Sequence, residues 1–246
     1  MTPFRLDNQR AVVTGAASGI GRAIAALFAE SGAHVVRLDL NPIPGDPESI
    51  ACDVSDEASV TDAFTTIAAA GPIDILVNSA GVSHIGTVFS TTPADFDRLF
   101  RINVRGTYLC MAAAAHVMAE QKSGTILNLA SIAATAGLAD RFAYSMTKGA
   151  VLSMTLSAAR DLLAYNIRVN CISPARVHTP FVDDYLTKNY PGRESEMMQV
   201  LSAAQPIGRM GTPQEIAALA LYLCSPTASF ITGADIPIDG GFQNLR

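Results

Sequence analysis

Tyr144 and Lys148 stand four residues apart, a spacing that puts both side chains on one face of a helix. A phenol has an unperturbed pKa of about 10, too high for a base at neutral pH, and a fixed ammonium beside it stabilises the phenolate and lowers that value. An ordinary helical Tyr–Lys pair has the same spacing. A second group with chemical potential is the run Thr14-Gly15-Ala16-Ala17-Ser18-Gly19-Ile20-Gly21. Glycines let a backbone approach a pyrophosphate, and a helix opening at Gly19 offers free N–H groups and the positive end of its dipole. A plain tight turn would also tolerate these residues. A strand before the run and a helix after it are what a dinucleotide site requires.

Asp39 follows Gly21 by eighteen residues. A carboxylate ending a second strand accepts both ribose hydroxyls of an adenosine and repels a 2′-phosphate, which selects NAD. In the competing reading Arg37, two residues back, merely neutralises Asp39; Ser18, however, supplies no positive charge for a phosphate. Asp53 either bonds the adenine amino group or caps the turn at 55–57.

The four cysteines, Cys52, Cys110, Cys171 and Cys224, form no CxxC pair and have no His at ligand spacing, so no metal site is expected. They read as reduced thiols of a cytoplasmic protein. A net charge of −5 offers no basic face for nucleic acid. Residues 1–10 are polar and lack a signal-peptide core, and no run approaches the roughly 18 apolar residues of a membrane span. No membrane or nucleic-acid partner is therefore expected.

These groups need a frame to hold them. With 49% apolar residues, the chain alternates β-rich runs with helical ones. Strands are expected at 11–14, 34–39, 50–53, 73–78, 124–130, 168–172 and 235–238. Helices are expected at 19–30, 58–69, 94–119, 144–163 and 213–224, with an irregular segment up to about Gly211. Such alternation implies a single α/β domain over 1–246, a Rossmann-type doubly wound parallel sheet with helices on both faces. One crossover is too short for a covering helix: 41–49 carries Pro42, Pro44 and Pro47. There the helix should be missing or reduced to a turn.

In order along the chain come the 14–21 run, Asp53, Asn78-Ser79-Ala80-Gly81, Asn103, Ser131, Tyr144 with Lys148, Asn170 and Pro174, Arg209 with Pro213-Gln214-Glu215, Thr232-Gly233 and Asp239-Gly240-Gly241. In this the sequence resembles the short-chain dehydrogenase/reductase family over essentially its whole length. Two departures are Ser79, where a second Asn is usual, and Ala175, where Gly usually follows Pro174.

The resemblance implies a nicotinamide cofactor, NAD given Asp39, held by Gly15, Ser18, Gly19, Ile20, Gly21, Asp39, Asp53, Val54, Asn78, Ala80, Gly81, Tyr144, Lys148, Val177 and Thr179. It implies that Tyr144 exchanges the hydroxyl proton and that Ser131 holds the substrate oxygen. Lys148 would bond the nicotinamide ribose and lower the Tyr144 pKa, and Asn103 would hold a water leading from Lys148 to solvent. It also implies a homotetramer, in keeping with the many small and apolar residues of the helices at 94–119 and 144–163.

Residues 178–210 lie beyond a strand's carboxyl end, where a lid would close over a small hydroxy or keto substrate. Arg141, three residues before Tyr144, either binds a substrate carboxylate through two parallel bonds or makes a surface salt bridge. His84 either bonds substrate or packs against the lid. With the run 81–88, these residues resemble two NAD-linked subgroups, the 2-keto-3-deoxy-sugar-acid dehydrogenases and the cytosolic type 2 3-hydroxybutyrate dehydrogenases. Tyr185 and Ala204 stand where the latter group carries further arginines, which favours the sugar acid. A polyol or cyclic alcohol dehydrogenase, a 3-oxoacyl thioester reductase and a non-catalytic dinucleotide sensor are the alternatives; the Tyr/Lys pair argues against the sensor.

Overall fold

The computed structural model describes residues 4–245; residues 1–3 of the polar N-terminal stretch and Arg246 lie outside the described residues. Strands β1 (Arg10–Thr14), β2 (His34–Asp39), β3 (Ser49–Ala51), β4 (Ile75–Asn78), β5 (Gly124–Leu129), β6 (Ile167–Pro174) and β7 (Asp235–Ile238) make one sheet. Every neighbouring pair is parallel, in the order β3-β2-β1-β4-β5-β6-β7. The helices are α1 (Gly19–Glu30), α2 (Glu57–Ala70), α3 (Pro93–Leu99), α4 (Gly106–Gln121), α5 (Phe142–Leu162), α6 (Pro180–Asn189), α7 (Glu194–Ala203) and α8 (Pro213–Cys224).

Strand side chains alternate between two cores, as a period of two demands. Val13, Val35, Val77 and Leu127 face one side and pack with Ile24 and Phe28 of α1 and Ile216 and Leu223 of α8. Val12, Val36, Leu76 and Ile126 face the other, with Phe64 and Ile67 of α2 and Met118 of α4. Both faces are thus covered, which explains why the strands are apolar throughout. This is the Rossmann-type fold expected from the sequence.

The chain winds from β1 outward to β3, then crosses back to place β4 on the other side of β1. Successive loops therefore diverge at the carboxyl ends of β1 and β4, opening the crevice where such sheets bind ligands. Between β2 and β3 the chain has turns and no helix. Arg37 pairs with Asp46 at 3.2 Å and the Ile43 N–H donates to Ser49 Oγ at 2.8 Å, so side chains close the short crossover.

Two elements differ from the expectation. The helix expected at 94–119 is interrupted by a π-helical stretch, Phe100–Arg105, between α3 and α4. Its wider turn, in which the Gly106 N–H donates to the Arg101 carbonyl, carries Asn103 inward. The segment expected to be irregular holds α6 and α7. Pro180 starts α6 at a position where its missing N–H costs nothing. Only Leu186 of these two helices is fully buried, so they lack the strong apolar period that reveals a helix in sequence.

Candidate active site

The turn after β1 is packed to the limit of what glycine allows. A Cβ on Gly21 would lie 2.2 Å from the Gly15 carbonyl oxygen, and one on Gly15, at φ +66°, would lie 2.8 Å from Ala80 Cα. The Thr14 hydroxyl accepts the Ser79 and Ala80 N–H groups, both at 3.0 Å, and ties the loops after β1 and β4 together. Ser18 starts α1 with an extended backbone and makes no side-chain cap bond. Its hydroxyl and the first N–H groups of a twelve-residue helix are left to face a ligand.

Asp39 is held at the end of β2 by two donors: the Ala17 N–H to Oδ2 at 2.9 Å and the Asn41 N–H to Oδ1 at 3.1 Å. Arg37 does not neutralise it, being paired with Asp46. Asp53 Oδ1 accepts the Ser55 N–H at 2.9 Å, so it does close the turn that follows, while Asp56 caps α2.

A cavity of about 1280 Å³ runs from Asp39 and Asp53 past the start of α1 to Tyr144. Its wall includes Gly15, Ser18, Gly19, Ile20, Gly21 and Val54 near one end, with Ala80 and Gly81 from the loop after β4. Ser131, Lys148, Val177 and Thr179 line it beyond, and Thr179 packs over Gly19. A glycine cradle that any Cβ would fill, an open helix N-terminus and an anchored carboxylate fit a dinucleotide.

At the chemical end, Tyr144 lies in the first turn of α5. Burial holds its phenol above the usual value, while the Ser131 hydroxyl and the Arg141 charge pull it down. Lys148 lies beside it, one helical turn further along α5. Its Nζ donates to the Leu129 carbonyl at 2.6 Å and sits 5.8 Å from the Tyr144 ring centroid; burial pulls the ammonium down to about 8. Arg141, which also pulls the phenol down, has its Cζ 6.0 Å from the same centroid. Ser131 Oγ accepts the Ala133 N–H at 3.1 Å and donates to the Pro174 carbonyl at 3.4 Å, which fixes it between β5 and β6.

Three expected residues lie off the cavity wall. Asn103 is buried with both amide hydrogens given to the Val82 carbonyl and Thr147 Oγ1, and its Oδ1 accepts the Val82 N–H. Its side chain braces the loop after β4 against α5, and both its Oδ1 and Lys148 Nζ lie against Gly81. Asn78 Nδ2 donates to Asn128 Oδ1 at 2.9 Å beneath the crevice, joining β4 to β5. His84 turns its ring toward Asp95, at 3.9 Å, and over Gly86, while its carbonyl accepts from Arg141 Nη1 at 3.2 Å.

Arg141 Nη1 also donates to Ser83 Oγ at 2.8 Å, which aims the guanidinium along the cavity wall. The reading of the sequence missed Ser83, Arg176 and Gln205. Arg176 was signalled by its position just past a strand's carboxyl end. Gln205 had no local signal, because a helix expected to be irregular brings it in.

The family model described as "Enoyl-(Acyl carrier protein) reductase" matches residues 15–243. The chain belongs to the short-chain dehydrogenase/reductase family. It is 40% identical to a D-threitol dehydrogenase of Mycolicibacterium smegmatis, over 97% of this chain and 94% of that one. It is 36% identical to a 2-keto-3-deoxy-L-fuconate dehydrogenase of Xanthomonas campestris, over 98% of this chain and 82% of the other. The structure of the aldohexose dehydrogenase of Thermoplasma acidophilum superposes with a TM-score of 0.90 at 32% identity, covering 96% of this chain and 94% of that one. As a short-chain dehydrogenase/reductase the protein is an oxidoreductase, and its family typically works with a nicotinamide cofactor. Among the described residues no cluster of metal-ligating side chains occurs and no helix is long and apolar enough to cross a membrane.

Proposed function

We propose that this short-chain dehydrogenase/reductase is an NAD-dependent dehydrogenase of a small hydroxy acid, with α6 and α7 as its lid. The observation that carries the substrate class is the Arg141 guanidinium, aimed along the cavity wall 6.0 Å from the Tyr144 ring. A guanidinium there grips the far end of a substrate whose hydroxyl meets Tyr144. Asp39 supports NAD, because its anchored carboxylate suits two ribose hydroxyls and opposes a 2′-phosphate.

A bound nicotinamide would supply the hydride acceptor, the balance being alcohol and NAD+ to ketone, NADH and a proton. Ser131 holds the substrate oxygen and Tyr144 takes the hydroxyl proton, returning it in the reverse direction. Lys148 and the glycine cradle position the cofactor. Loss of the phenolic hydroxyl in Tyr144→Phe should lower turnover about 100-fold or more while NADH binding persists.

NADH formation measured over hydroxy acids and the corresponding polyols tests the substrate class. A second reading, a neutral polyol, is favoured by the likeness to D-threitol dehydrogenase. Better turnover of the polyols would establish it and overturn the acid.

A further inference from the structure

Arg176 follows β6 by two residues, and its backbone carbonyl accepts the Gly211 N–H at 3.0 Å. The side chain is half-buried on the cavity wall and, among the described residues, makes no hydrogen bond or ion pair. Arg141 spends Nη1 on Ser83 and the His84 carbonyl, which leaves Nε and Nη2 uncommitted, and it too has no ion pair. The charges of the two guanidiniums act on each other, and both act on Tyr185 of α6, which shares the cavity wall. Asp140, also on the wall, is within ion-pair distance of neither. Two partly desolvated cations facing one cavity without a counter-ion raise the energy of the empty site and favour an anion between them.

Gln205, just beyond α7, is only 4% exposed and borders the same cavity. Its Oε1 is buried and accepts no hydrogen bond. Of the buried orphans among the described residues it alone belongs to a residue on the cavity wall, where a turn of the side chain would bring it to a ligand hydroxyl. A neutral polyol would leave the guanidiniums uncompensated. A hydroxy acid with no further hydroxyl would leave Gln205 unpaired.

We propose that Arg176 and Gln205 complete, with Arg141, a subsite for a polyhydroxylated carboxylate, the guanidiniums taking the carboxylate and Gln205 accepting a hydrogen bond from a hydroxyl away from the reacting carbon. The inference rests on the hydroxy-acid reading above and names two residues that decide among such acids. Arg176→Met keeps the apolar stem and removes the charge. It should lower kcat/KM for aldonates about tenfold or more, and that for alditols of equal length by less than about twofold. Arg176→Lys should recover part of the loss, since it restores the charge without the fork. Gln205→Met should lower the ratio of kcat/KM for an aldonate to that for 3-hydroxybutyrate by about fivefold or more. NADH binding, followed by fluorescence, should stay the same in each variant.

Equal losses on aldonates and alditols, or none, would overturn the role of Arg176, and an unchanged ratio would overturn that of Gln205. If the wild type prefers alditols, the hydroxy-acid reading falls by itself. The subsite then stands only if aldonates inhibit competitively and Arg176→Met raises their inhibition constant about tenfold. Without that inhibition the subsite falls as well.

Discussion

Lys148 donates to the Leu129 carbonyl at 2.6 Å across the end of β5 and stands 5.8 Å from the centroid of the Tyr144 ring. The ammonium is tied to the sheet, one helical turn after the phenol. It is also only 8% exposed, and this burial brings its pKa to about 8. The Tyr144 phenol is pulled down by Ser131 and by Arg141, which line the same cavity.

A charged Lys148 costs the folded state free energy that it regains once the lysine is neutral. Its folded pKa of about 8 lies below the ordinary lysine value of 10.5, so between those values the unfolded chain binds more protons and the lysine's contribution rises with pH. Lys148→Met lacks this slope. Denaturant titrations should show the stability of wild type relative to Lys148→Met improving by about 3 kcal/mol at most between pH 7 and pH 10. A constant difference across that window would mean that the lysine titrates normally.

Gly21→Ala sets helix propensity against sterics. Alanine is favoured inside a helix by about 1 kcal/mol, but its Cβ would fall 2.2 Å from the Gly15 carbonyl oxygen, a backbone atom that cannot turn aside. Overpacking should win, with a loss of about 3 kcal/mol and weakened NADH binding. Gly137→Ala is the control, because nothing lies within 4 Å of its added Cβ. Equal Tm values for the two variants would contradict the tight contact.

Asp39→Ala should narrow the preference for NAD over NADP, because it removes both the ribose acceptor and the repulsion of a 2′-phosphate. Some affinity for NAD should also be lost as the Ala17 and Asn41 N–H groups lose their acceptor. The measurement is kcat/KM for each cofactor. A wild type that favours NADP would refute the assignment.

Phe100, Tyr108, Phe142, Leu156 and Leu163 are large apolar side chains exposed along the π-helical stretch, α4 and α5 or at their ends. Pairing of such helices across twofold axes would cover them, and a homotetramer is expected. Light scattering at micromolar concentration should give four times the mass of the chain, and a monomer would contradict this.

The local chemistry was legible in the chain itself. Glycines at 15, 19 and 21, a carboxylate ending β2, and Tyr144 four residues before Lys148 are short-range patterns, and alternating apolar runs set the strands and both layers of helices. Prolines at 42, 44 and 47 likewise revealed the crossover without a helix. Tertiary structure decided which polar groups those elements consume. Asn103 and Asn78 brace loops and strands, His84 turns to Asp95, and Lys148 bonds the carbonyl of Leu129, because partners are set by packing and not by place in the sequence. Tertiary structure also brings Arg176, after β6, and Gln205, after α7, to the cavity wall with Arg141. Residues so far apart along the chain leave no periodic trace; only the packing of α6 and α7 over the carboxyl ends of the strands makes them neighbours.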